Sequence, residues 1–143
     1  MNLANPQTSR SKIKEYMSNA RNSIAAAEQA EKENNWKQAG RNWFDSVGAL
    51  IVCASLLYKF PYSGEWGYFK SIEKMRIVWH EGWLESAFDA ALLLHFNTNH
   101  DFLSNDQIQW RINICRRFVN FLITKIEQEF KHLQEHHLSP SQK

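Results

Sequence analysis

The stretch LLLHFNTNHDFLSND, residues 92–106, gathers the polar side chains with the most chemical capacity in this chain. His95 and His100 could share the two halves of an acid–base cycle on a phosphodiester, because an imidazole titrates near neutrality and either takes or gives a proton. Asn97 and Asn99 would then orient the phosphate. The architectural alternative makes His95 an inward-facing histidine bonded to a carbonyl. Asn97 and Asn99 would end the helix, since asparagine tolerates left-handed backbone geometry. Residue types alone favour the architectural reading. A metal shared by the two histidines fits poorly: on a helix, positions five apart differ by about 140° in direction. Nothing resembles the HExxH spacing either. No metal and no cofactor are expected.

Other candidates lie outside that stretch. WHEGWLES, residues 79–86, sets His80 between Trp79 and Trp83, which as an open pocket could stack a base and as a helix connection would fill core. The second use is the more economical. HLQEHH puts His132 and His136 one helical turn apart, with His137 beside them, at a chain end suited to adventitious binding. In CRRF, Arg116 is expected to pair with a carboxylate such as Asp89, a structural role preferred over an RNA contact.

The elements that must position these residues are helices. A leader over residues 1–10 is expected to be flexible. Thr8 or Ser9 can cap a helix over 11–33, with Ile13, Met17, Ala20, Ile24 and Ala27 at three- and four-residue steps. ENN at 33–35 breaks it. A second helix over 36–60 stops at Pro61, and its LIVCASLL segment is apolar on nearly every side, which places it mid-bundle. A third helix spans 68–80, and Gly82 interrupts before WLESAFDAALLLHF restarts with Leu84, Phe88, Ala91 and His95 on one stripe. That stripe predicts an inward or interfacial His95. After the loop NTNHDFL, Ser104 caps a long last helix whose apolar steps run from Ile108 to Leu133. The tail over 136–143 is expected to fray.

The chain has 143 residues, 43% of them hydrophobic and 13% aromatic, with five Gly and three Pro. That is enough aromatic material for a real core and too little punctuation for a many-turned β-sandwich. The expectation is one all-α domain, a four- or five-helix up-and-down bundle over residues 11–135. A net charge of +2 is too balanced to suggest nucleic-acid binding by itself. Cys53 and Cys115 fall in apolar helices and read as buried thiols, not a disulfide framework. No apolar run reaches the ~20 residues of a spanning helix. The terminal sequence lacks a secretory pattern, so a cytoplasmic protein is expected. A tetratricopeptide scaffold, suggested by the rhythm of NWKQAGRNWF, is disfavoured by the absence of a roughly 34-residue repeat.

With the helices so placed, the chain resembles the HEPN superfamily of small helical bundles (higher eukaryotes and prokaryotes nucleotide-binding domains). NWKQAGRNWFDSVGALIVCASLLY is similar to that family's W-x-x-A entry into a small-residue-rich central helix. AALLLHFNTNHDFLSNDQIQWRINICRRFVNFL resembles the LHxN turn and following helix of a prokaryotic branch known from archaeal paralogues. Leu94, His95, Asn97 and Leu103 keep that turn; Thr98 and Asn99 stand where the branch has aromatics, and His100 where it has an acid. The resemblance implies a bundle that is often dimeric. It also implies, in catalytic members, metal-independent endoribonuclease chemistry from an arginine followed after four to six residues by a histidine. No arginine here has a histidine at that spacing; RIVWH, from Arg76 to His80, has three intervening residues. At the expected turn His95 occupies the arginine position, and an imidazole cannot make a bidentate phosphate contact. The resemblance therefore implies a non-catalytic interaction module. It would act as a homodimer or as the partner of a nucleotidyltransferase-like, defence-type protein in a toxin–antitoxin-like pair. The alternative is an endoribonuclease using His95 and His100 on RNA.

Overall fold

Few residues in this sequence break helices, and the described residues form five α-helices with no strand. The structure is a computed structural model; it describes the backbone of residues 6–62 and 67–135, and side chains from Arg10 onward. The helices are α1 (Pro6–Lys32), α2 (Trp36–Tyr58), α3 (Gly67–Trp79), α4 (Leu84–His100) and α5 (Asn105–Glu135). The chain is an all-α helical bundle, as its periodicity predicts. No helix among the described residues is long and apolar enough to cross a membrane.

α2 is the centre and packs against all four other helices. Its all-round apolar segment explains this: Leu50, Ile51, Cys53, Ala54 and Leu57 are each fully buried. Small residues allow the approach. A methyl on Gly40 would stand 3.0 Å from Leu94 Cδ2, and one on Gly48 2.8 Å from the Tyr68 hydroxyl. α1 and α2 form an antiparallel hairpin in which Cys53 Sγ lies 3.9 Å from the Ile13 carbonyl and Glu31 accepts from Trp43 Nε1. α4 and α5 form a second, with Trp83 at the start of α4 against Phe118 and Phe121. The short α3 runs alongside α2 in the same sense, its start over Gly48 and its end at Tyr58 and Phe60.

With glycine scarce, the left-handed positions that stop helices fall to other residues: Asn34, Lys59, His80 and Asp101 all have positive φ. Asn35 then caps α2 by accepting from the Gln38 amide, and Ser104 and Gln107 make a reciprocal capping box at the head of α5. Two boundaries differ from the sequence reading by more than two residues. α1 begins at Pro6, inside the expected leader and before both Thr8 and Ser9; proline has a favourable φ for a first helical turn and no amide there to satisfy. α4 runs on through the asparagine-rich segment to His100 and ends at Asp101, so residues 97–100 are helix and not loop. The expected frayed tail lies outside the described residues, as do His136 and His137.

Candidate functional site

Phe44 and Asp45 on α2 set the surroundings of His95. The His95 imidazole stacks on the Phe44 ring, centroids 4.7 Å apart and planes inclined by 28°. It is exposed, which corrects the expectation of an inward-facing histidine bonded to a carbonyl. Position 95 shares the angular stripe of Leu84, Phe88 and Ala91, but the face that α4 buries turns toward Ala87, Ala90, Leu94 and Asn97 and leaves position 95 at its edge. There the Phe44 ring takes one face of the imidazole, and the Phe96 ring lies tilted beside it with centroids 5.7 Å apart. No hydrogen bond is made by this imidazole among the described residues. Partial burial pushes the neighbouring Asp45 carboxyl above its usual range, while the Arg41 guanidinium and His95 pull it back down. Behind this pair Tyr68 sits edge-on to Phe44 and close to Tyr62; burial, and then Tyr62, raise its hydroxyl pKa.

Asn97 points the other way. It is 1% exposed, and its Oδ1 accepts from the amides of Phe102 and Leu103, both at 2.7 Å. It therefore organises the chain leaving α4 through its side chain, while Asp101 takes the left-handed backbone and donates its amide to the Asn97 carbonyl. Asn99 and His100 are helical and exposed. Because the helix is continuous, His95 and His100 are separated by about 140° around the axis and about 7.5 Å along it. One chain does not bring the two imidazoles together. Among the described residues no cluster of three or more His, Cys, Asp or Glu side chains could hold a metal.

The other sequence candidates lie apart from this corner. Trp79 is half-buried against Tyr58, Phe60 and Phe121, and Trp83 against Phe118 and Phe121. Lys125 stands over Trp79 and Arg117 over Trp83, so the two indoles join α3 and α4 to α5 instead of opening a stacking pocket. His80 is the left-handed residue that ends α3. Arg116 pairs with Glu31, Nη2 to Oε1 2.5 Å, bonds Asn113 and lies over the Trp43 ring. This corrects the expected Asp89 partner: Asp89 is exposed, facing away on α4, whereas the α1–α2 hairpin carries Glu31 to α5.

Arg41, Asp45 and Glu31 were not picked out as site residues from the sequence. Arg41 and Asp45 are one helical turn apart, an ordinary exposed pair by spacing. Only the packing of α4 onto Phe44 brings the His95 imidazole to where its charge acts on Asp45. No family model, no curated protein and no solved structure matches the chain.

Proposed function

We propose that this protein is a non-catalytic, HEPN-like association module that works as a homodimer or as the partner of a nucleotidyltransferase-like, defence-type protein. The observation that supports the reading is the apolar exposure at the α4–α5 corner. Phe96 is 47% exposed, Phe102 50% and Trp110 57%, all within two turns of the connection that Asn97 organises. Large aromatics are enriched at protein–protein interfaces relative to the rest of the surface. The corner carries no converging acid–base pair, because its histidines diverge. Size-exclusion chromatography with light scattering on the full chain tests the homodimer form. Twice the monomer mass at high micromolar concentration, lost on Phe102→Asp or Trp110→Asp, is the expected result. A clean monomer refutes the homodimer.

A second reading, a metal-independent endoribonuclease, has one observation in its favour: the Arg41 guanidinium and the exposed His95 imidazole both pull the Asp45 carboxyl down. A guanidinium and an imidazole thus both act on one carboxyl, though not at the family's spacing in sequence. This reading requires RNA cleavage in EDTA that disappears in both Arg41→Ala and His95→Ala. Cleavage that is absent, or indifferent to both changes, removes it.

A further inference from the structure

The wall between α3 and α4 holds a half-open cavity of about 260 Å³, away from the corner just described. Its floor is apolar: Ile72 and Phe88 are buried, and Phe69 meets Phe88 edge-on with ring centroids 5.2 Å apart. Its rim is acidic, with Glu73 from α3 and Glu85 and Asp89 from α4. Glu85 already holds a guanidinium, that of Arg76, at Nε–Oε1 2.7 Å. Among the described residues no side chain pairs with Glu73 or Asp89. A second cavity of about 260 Å³, lined by Pro61, Lys70, Glu73, Lys74 and Ile77, adjoins the first through Glu73. Ile77 there is 52% exposed.

Carboxylates over an aromatic floor select an organic cation, which gains charge-assisted hydrogen bonds at the rim and ring contact below. A planar guanidinium suits two carboxylates on different helices better than a compact ammonium does, since its fork reaches both while its face lies on a ring. Lys70 and Lys74 occupy the far side of Glu73, so the attraction for a cation is confined to the α3–α4 cavity. The apolar surface continues past Glu73 to Ile77. A small free cation would leave that surface wet, whereas a side chain borne on a polypeptide brings backbone and neighbours to cover it.

We propose that the α3–α4 cavity receives an arginine side chain from a partner polypeptide, its guanidinium between Asp89 and Glu73 and against the Phe69 ring. The inference rests on the association-module reading but uses a different surface. The test is an NMR titration of the full chain with Nα-acetyl-arginine methylamide, its neutral citrulline counterpart and spermidine. The arginine probe is expected to move the amide signals of Phe69, Glu73, Phe88 and Asp89 with millimolar affinity, as suits one side chain without its flanks. The double variant Glu73→Gln, Asp89→Asn changes only exposed groups and should fold as the parent does. It is expected to weaken binding by about tenfold or more, from the loss of two charge-assisted contacts. Equal shifts with citrulline, unchanged affinity in the double variant, or tighter binding of spermidine would each overturn the proposal. So would a change in self-association in the double variant, which would make a second copy the occupant. A monomeric chain that still binds the arginine probe refutes the corner interface alone, and a dimer that ignores it refutes the cavity alone.

Discussion

Replacing Asn97 by alanine removes one oxygen that serves two backbone donors. Oδ1 accepts from the Phe102 and Leu103 amides at 2.7 Å each, and the side chain is 1% exposed. A buried donor left without a partner costs about 1–3 kcal/mol. Phe102 itself is half exposed, so water can reach its amide once the turn loosens; Leu103 is less accessible. The sum falls at the low end for one amide and mid-range for the other, or about 2–3 kcal/mol in all. Asn97→Asp keeps an acceptor in the same place. It adds a buried charge at the C-terminal end of α4, where the helix dipole disfavours an anion, and is expected to recover part of the loss. Urea unfolding followed by far-ultraviolet circular dichroism measures both, with the midpoint shifting and the slope unchanged. Hydrogen exchange locates the effect. Protection at the Phe102 and Leu103 amides should drop by about ten- to a hundredfold in the alanine variant while the Phe118 and Leu122 amides follow only global stability. In the proposed homodimer, whose surface includes Phe102 on that turn, the alanine variant is also expected to weaken self-association. An alanine variant within about 0.5 kcal/mol of the parent, with those two amides still protected, would show that Asn97 does not hold the corner.

Glu31 is 18% exposed and joins Arg116 to Trp43 Nε1, while Arg116 is 40% exposed. Glu31→Ala should therefore cost about 2 kcal/mol and Arg116→Ala about 1, an order that chemical denaturation checks directly. Gly48→Ala puts a methyl 2.8 Å from the Tyr68 hydroxyl and should lower stability despite the better helix former. Gly82→Ala meets nothing within 4 Å and should be neutral or stabilising by up to about 1 kcal/mol, as paired thermal melts will show. Burial pushes the Cys53 and Cys115 thiols from 9.0 up to about 12. The unfolded chain loses those protons first, so stability should be full below pH 9 and fall as pH rises toward 12. At mildly alkaline pH the native thiols should resist a disulfide reagent that both consume in urea.

Helical class was legible because it depends on local rules: hydrophobic steps of three and four, and caps within three residues of the helix they start. LIVCASLL announced a central helix because a surface helix has no use for apolar groups on every side. The Ser104 cap was legible for the same local reason. The end of α4 was not. Asn97 and Asn99 are plausible helix stops, yet the stop is Asp101, because burial of the Asn97 side chain against two amides beyond it keeps residues 97–100 helical. Nor could periodicity settle His95, which shares the stripe of Leu84, Phe88 and Ala91 yet lies at the edge of the face that α4 buries. Whether such a residue is inside or out depends on which ring of another helix covers it, and that ring is Phe44. Arg116 shows the same limit. Its carboxylate partner comes from α1, eighty-five positions away in sequence, and only hairpin packing brings Glu31 there. Local sequence fixes where helices form and which stripe each buries. Pairing between side chains on different helices depends on how the helices are laid together, and that geometry has no signature in the spacing along any one of them.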